Sequence, residues 1–346
     1  MKALVYRGPG KKEWTEKETP ALQHSTDAIV RITHTTICGT DLHILKGDVP
    51  EVVEGLTLGH EGVGVIEQVG EGVSNFKVGD RVLISCITSC GRCEYCKKQL
   101  YAHCTDGGWI LGHMIDGTQA EYVRIPHADN SLYPAPAEVD PEALVMLSDI
   151  LPTGFEIGVL AGKVQPGDTV AIVGAGPIGM AVLLTAQFYS PSRIIMVDTD
   201  PARLEVSRRF GATDLVDAGS GDAVEAIMAL TGGKGVDVAV EAVGIPATFD
   251  TCQSIIAPGG RIANVGVHGK PVELRLEKLW IRNITLATGL VCTYSTPMLL
   301  QTVASGKVKP EQLVTHRFAL DDIEQAYAVF GNAAHEKAMK VILQAA

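Results

Sequence analysis

The sequence predicts an α/β chain in two parts, a β-rich domain built from both ends and an inserted domain with a doubly wound parallel sheet. Three observations lead there. Short β-branched segments punctuated by glycine fill the first third, apolar strands alternate with helical stretches after Asp140-Pro141, and Gly174-Ala175-Gly176-Pro177-Ile178-Gly179 stands between one such strand and one such helix. Alternation of this kind builds a parallel sheet with helices on both faces.

Strand patterns run from Asp27 to Ile37, Gly62 to Val69 and Arg81 to Ile84, separated by turn signals such as Gly70-Glu71-Gly72 and Val78-Gly79-Asp80. The first third therefore reads as all-β and loop-rich. Apolar strands follow at Thr169 to Val173, Ile194 to Val197, Val236 to Val240, Arg261 to Val265 and Ile284 to Thr288, in a sheet of six complete by about Gly289. Thr296 to Ser305 and Leu320 to Phe330 have helical periodicity, and Ala338 to Leu343 reads as a closing strand. The expected domains are residues 1–152, 153–294 and 295–346, the last returning to the first.

The chain has 346 residues, enough for two hydrophobic cores without disulfide staples. Its 29 basic and 40 acidic side chains give a formal charge of −11, which argues against nucleic acid and anionic membranes as partners. Eight cysteines at this length are too sparse for a disulfide scaffold, and five sit in metal-like contexts, so reduced thiols and the cytoplasm are expected. The Met1 to Arg7 start has too short an apolar run for an export signal. Val170 to Ala186 is uncharged but shorter than the roughly 20 residues that span a bilayer.

Cys90, Cys93, Cys96 and Cys104 form C-x2-C-x2-C-x7-C, four thiolates that can close a tetrahedron around a structural zinc ion. An iron–sulfur cluster is the rival reading. Bacterial ferredoxins share the first two spacings but continue C-x3-C-P, whereas the interval here is longer and Thr105 stands in place of proline. A second constellation lies upstream, in Cys38-Gly39-Thr40-Asp41 and Gly59-His60-Glu61. Catalytic zinc takes three protein ligands and keeps an open position, so Cys38 and His60 need a third, with Glu61 and Asp149 as candidates.

The glycine fingerprint has its own physical logic. The first glycine, Gly174, permits the tight turn, Gly176 lets a pyrophosphate approach the backbone, and Gly179 allows helix and strand to pack closely, with Pro177 and Ile178 opening the helix. Nineteen residues beyond Gly179, Asp198 ends the next strand, where a carboxylate accepts hydrogen bonds from an adenosine ribose and repels a 2′-phosphate. This favours NAD, while Arg203 leaves NADP open.

Taken together, Cys38-Gly39-Thr40-Asp41-x-His43, Gly59-His60-Glu61, the four-cysteine lobe, Asp149 before Pro152-Thr153-Gly154, and the fingerprint with Asp198 resemble the zinc-dependent medium-chain alcohol dehydrogenases, particularly bacterial members. The resemblance covers nearly the whole chain and implies a GroES-like catalytic domain with an inserted Rossmann domain. It implies two zinc ions per chain, one held by Cys38, His60 and Asp149 with Glu61 beside it, the other by the lobe. Members similar to the horse-liver enzyme carry cysteine where Asp149 stands.

The same resemblance assigns further roles. Thr40 passes the alcohol proton through the cofactor ribose to His43; Thr153 lies against the nicotinamide; Gly266 and Leu290 run along the cofactor; Lys340 stands near the pyrophosphate. Trp109, Cys86 and Ile87 line the substrate pocket. Hydride transfer then calls for a cleft between the domains. The expected reaction interconverts primary or secondary alcohols with aldehydes or ketones, in a homotetramer. A polyol dehydrogenase of the same family and a non-catalytic NAD-binding scaffold are the alternatives.

Overall fold

A computed structural model describes residues 1–345, which fall into two units: Met1–Pro152 with the segment from Cys292 onward, and Thr153–Val291. In the first, a hairpin of β1 (Lys2–Tyr6) and β2 (Lys12–Glu16) precedes β3 (Ala28–Thr36), β4 (Gly62–Val69), β5 (Arg81–Ile84), β6 (Tyr122–Ile125) and β7 (Leu132–Pro134). The second contains β8 (Thr169–Val173), β9 (Arg193–Asp198), β10 (Asp214–Asp217), β11 (Val236–Glu241), β12 (Ile256–Asn264) and β13 (Thr285–Thr288). The chain then returns to the first unit as β14 (Val314–Ala319) and β15 (Lys340–Gln344).

The sheet of the first unit runs β14-β15-β3-β4-β5-β7, with β6 also paired to β3. Alternating side chains put Val30, Ile32, Ile66, Val82, Ile84, Val123 and Ile125 into one buried cluster. Each such side chain contributes roughly 1.5–3 kcal/mol by burial, so the register is firmly set. That register carries the site. Thr35 lies opposite Gly62, and Gly62 lies opposite Ile84, so Cys38, His60 and Cys86 all leave the sheet at the same end.

In the second unit six parallel strands run β10-β9-β8-β11-β12-β13. The order reverses between β8 and β11, and a crevice at the carboxyl ends of such strands is where open sheets take ligands. The uncharged Val170 to Ala186 stretch is divided into β8, the glycine turn and the Pro177–Ala186 helix, with most of its side chains buried. No helix among the described residues is long and apolar enough to cross a membrane.

Three expectations need correction. The first third is not all-β: a helix spans Gly39–Lys46, because the Cys38 N–H donates to Asp41 Oδ2 at 2.9 Å and fixes its first turn, while Gly47 ends it at φ +82°. The strand expected from Arg261 begins earlier, at Ile256, running through Pro258-Gly259-Gly260 with a register irregularity against β11. The sixth strand is β10, whose four residues, Asp at either end, are too short and polar for a strand pattern to stand out.

Candidate active site

Residues far apart in sequence meet at the end of the first sheet. Cys38 follows β3 and His60 precedes β4, while the Ser148 hydroxyl accepts from the Gly62 N–H at 3.0 Å and so brings Asp149 beside them. The Glu61 carbonyl accepts from the hydroxyls of Thr35 at 2.7 Å and Thr118 at 2.8 Å, which holds the His60-Glu61 turn. One donor atom each from Cys38, His60 and Asp149 lie within 4.8 Å of one another. Asp149 Oδ2 is 3.2 Å from His60 Nε2 and 3.9 Å from Cys38 Sγ.

Sulfur, imidazole nitrogen and carboxylate oxygen converging in this way suit a zinc ion. A buried orphan supports the fit: Asp41 is 1 % exposed, its Oδ1 has no hydrogen-bond partner, and His60 Nδ1 lies 3.9 Å away. The negative charge of a carboxylate behind Nδ1 favours a proton on that nitrogen, which leaves Nε2 to ligate. Burial by itself would lower the His60 pKa, but bonds and charges from Asp149, Cys38 and Asp41 raise it well above the ordinary value. Burial also pushes the Asp41 carboxyl up.

Sequence reasoning missed what stands behind Asp41. Its Oδ2 accepts from Gln119 Nε2 at 3.0 Å, and Gln119 Oε1 accepts from the Tyr327 hydroxyl at 2.8 Å, all three side chains being buried. Gln119 and Tyr327 lie 78 and 208 positions from their partners, so no local pattern announces them. Asp41, three residues after Cys38, stood in the sequence only as part of the Cys38-Gly39-Thr40-Asp41 motif.

Glu61 is adjacent to the donor cluster, but both its oxygens are bound to Lys340 Nζ, at 3.0 and 2.7 Å, and it is not among the converging donors. Burial pushes the Glu61 carboxyl up against the pull of Lys340, and burial acting to lower the Lys340 ammonium is outweighed by Glu61, Cys38 and Asp149 together. The two-pronged geometry is that of a charged pair. Lys340, expected near a pyrophosphate, has its side chain 1 % exposed and paired with Glu61 within the first unit.

Thr40 Oγ1 lies 3.7 Å from Cys38 Sγ, and His43, one helical turn on, places Nδ1 2.8 Å from Asp48 Oδ2 with its ring partly exposed. The Cys86 N–H donates to the Ser148 carbonyl at 3.1 Å, which sets Cys86 and the buried Ile87 near Asp149. Trp109 stacks on His113 with ring centroids 4.1 Å apart.

In the lobe, Cys90, Cys93, Cys96 and Cys104 also converge within 4.8 Å. Backbone N–H groups are aimed at sulfur: Cys93 at Cys90 and Cys96 at Cys93, both 3.4 Å, and Cys90 at Cys104, 3.2 Å. Such donors stabilise thiolate. The Cys93 pKa falls to about 5, chiefly through the Cys96 and Thr105 N–H groups, whereas burial first and then its neighbouring thiols push Cys96 up to about 12. Four thiols converging in this way, with backbone N–H groups aimed at three of the sulfurs, suit a closed metal site that takes all four as thiolate.

The second unit carries the crevice. Gly174 turns at φ +109°, and a Cβ on Gly179 would fall 1.8 Å from the Gly174 carbonyl, so helix and turn touch only because both are glycine. A Cβ on Gly176, ahead of Pro177 and Ile178, would meet nothing within 4 Å. Asp198 accepts from the N–H groups of Ala175 at 2.6 Å and Asp200 at 2.9 Å, and Arg203 Nε lies 3.7 Å from Asp200. Thr153 is partly buried, Leu290 is 42 % exposed, and Gly266 follows β12.

The chain matches two family models, the alcohol dehydrogenase GroES-like domain over residues 24–137 and zinc-binding dehydrogenase over residues 177–305. It is 37 % identical to an alcohol dehydrogenase of Cupriavidus necator, over 96 % of this chain and 95 % of that one. It is 35 % identical to an NADP-dependent isopropanol dehydrogenase of Thermoanaerobacter brockii, over the full length of both. Among solved structures, the apo form of zinc-dependent alcohol dehydrogenase 2 from Streptococcus pneumonia superposes with a TM-score of 0.96, at 59 % identity, covering 100 % of this chain and 98 % of that one. With the GroES-like unit, the parallel-sheet unit and both cysteine constellations in place, this chain belongs to the zinc-dependent medium-chain alcohol dehydrogenase family.

Proposed function

We propose that the protein is an NAD-linked dehydrogenase of primary or secondary alcohols, working in reverse on aldehydes or ketones, with one catalytic and one structural zinc ion per chain. The observation that carries this reading is the convergence of Cys38, His60 and Asp149. When bound there, zinc would supply Lewis acidity toward a substrate oxygen and a nicotinamide would supply the hydride acceptor.

The chain's own residues do the rest. Asp41 sets a carboxylate 3.9 Å behind the His60 ring, and Ser148 holds Asp149 to the turn beyond His60. The Thr40 hydroxyl, next to the Cys38 sulfur, is placed to accept a proton from an alcohol as it releases its own toward the cofactor ribose, and His43, three residues along the same helix with Asp48 behind it, passes a proton from there to solvent. Ile87 and the Trp109 ring are apolar walls that exclude water. Asp198 favours NAD, since a 2′-phosphate would meet its charge, and Arg203 is already engaged with Asp200.

Assembly as a homotetramer is part of the proposal. The second sheet ends at β13 with an open edge, and Leu276, Trp280 and Ile281 beside it are 59, 71 and 67 % exposed, an apolar surface that a second copy would cover. Eight cysteines are sparse for a chain of 346 residues and five of them sit in metal-like contexts, which supports a reducing compartment such as the cytoplasm. Metal analysis and a panel of alcohols test the function: two zinc ions per chain and alcohol-dependent NADH formation are expected. One zinc and no turnover across the panel would leave a cofactor-binding scaffold instead.

A further inference from the structure

β11 ends at Glu241, whose register neighbours are Val173 at the end of β8 and Asn264 at the end of β12. Glu241 thus stands at the carboxyl edge of the second sheet, between the glycine turn and the loop after β12. Its side chain is fully buried. One oxygen, Oε1, accepts three bonds: from the Val243 N–H at 3.0 Å, the Gly244 N–H at 2.8 Å and the Thr248 hydroxyl at 2.6 Å. The other, Oε2, has no hydrogen bond although His268 Nε2 is only 3.3 Å away, because that nitrogen is bonded to Asn264 Oδ1 at 2.9 Å.

A buried carboxylate with an oxygen left unbonded is costly, and a fold keeps one where it gains something else. Here it ties two loops together. The first presses on the glycine turn, since a Cβ on Gly174 would fall 2.6 Å from Val243 Cγ2, and the Ala242 N–H donates to the Val173 carbonyl at 2.9 Å. The second is fitted to Glu241 through Gly266, where a Cβ would fall 2.4 Å from Oε2 and 2.3 Å from the Gly244 nitrogen. Between them these loops expose Val243, Ile245 and Val267, apolar side chains at the crevice with 44, 47 and 64 % of their surface open.

We propose that Glu241 and His268 act as a paired positioning device for the dinucleotide, fixing the Ala242–Ile245 and Val265–His268 loops against the Gly174 turn. The inference rests on the proposal that a dinucleotide occupies that turn. Neither residue touches the reacting atoms; each acts through the loops it holds. The carboxylate supplies three fixed acceptor bonds to one loop and a charge that keeps the imidazole of the other in place, so that the apolar walls of the crevice are set before the ligand arrives.

The test is titration of the zinc-loaded protein with NADH, followed by fluorescence, in the parent, Glu241→Gln, His268→Gln and the double variant. Gln at 241 keeps an acceptor for the three donors and removes the charge. Each single variant should raise the NADH dissociation constant about tenfold, and the double variant should be no worse than the singles, as for two residues acting as a unit. Zinc content should be unchanged in all four. If Glu241→Gln fails to fold, the partly exposed His268 still gives the reading by itself. Lower melting temperatures with unchanged NADH affinity, or additive losses in the double variant, overturn the pair. No NADH binding by the parent overturns the dinucleotide proposal instead.

Discussion

Lys340 on the last strand and Glu61 beside His60 form an ion pair with both side chains 1 % exposed, so the end of the chain is clamped to the candidate metal site across 279 positions. Breaking such a pair from one side strands the other charge. Lys340→Met and Glu61→Gln should each destabilise the fold by about 3–5 kcal/mol, and the double variant should recover part of that loss. Urea unfolding measures it. Single variants within about 1 kcal/mol of the parent would show the pair to be no stronger than a surface one.

The two cysteine sites should fail differently. Cys93→Ala opens the lobe and should lower stability steeply, because structural zinc supplies on the order of 10 kcal/mol of apparent binding energy. Cys38→Ser should abolish turnover while the parallel-sheet unit stays folded. Zinc content with thermal unfolding of each variant separates them; a Cys93→Ala protein as stable as the parent removes the lobe from the account.

Gln119→Leu removes the bridge between Asp41 and Tyr327, leaving the Tyr327 hydroxyl without its buried acceptor and Asp41 Oδ2 with the Cys38 N–H alone. A stability loss of roughly 1–3 kcal/mol is expected. Competition with a chelator should show zinc affinity reduced about 10–100-fold, since Asp41 then orients His60 less firmly. Unchanged zinc affinity would confine the network to packing.

For cofactor choice, Asp198→Ala should narrow the preference for NAD over NADP, read from the ratio of kcat/KM values. The carboxylate also accepts from the Ala175 and Asp200 N–H groups, so affinity for both cofactors should fall as well. A ratio left as it was would take Asp198 away from the ribose.

His34 on β3 gives a dependence on pH. Burial first, and Arg81 in addition, hold its pKa below the ordinary 6.5, with Glu142 and Asp140 opposing. Below 6.5 the unfolded state binds the proton more readily than the folded one. Stability is therefore full above that value and is lost as the pH falls through the lower folded pKa. His34→Gln should flatten the fall in unfolding free energy between about pH 7.5 and pH 5; parallel curves for the two proteins would exclude His34 as its source.

Much of this molecule was legible in one dimension. The glycine turn is specified by six adjacent residues, and the lobe by four cysteines within fifteen positions, so chain geometry alone brings each together. The helix after Cys38 escaped notice because its decisive bond, from the Cys38 N–H to Asp41, lies inside a segment whose neighbours read as strands. The pairing of Lys340 with Glu61 escaped notice for a different reason. A lysine pattern carries no information about burial, and the partner that neutralises it lies near the other end of the chain.

By itself, the sequence determined the family, the doubly wound sheet and the grouping of the four lobe cysteines, whose motifs are local in spacing, and it pointed to Cys38, His60 and Asp149 as a set only through the family resemblance of those motifs taken together. Only the tertiary structure decided that Glu61 is bound to Lys340 rather than standing among the donors, that Gln119 and Tyr327 back Asp41, and that Glu241 and His268 join two crevice loops. The physical reason is the same in each case. Buried polar groups must find partners, and which partner is within reach is set by strand register and the return of the chain, across separations at which sequence spacing is silent.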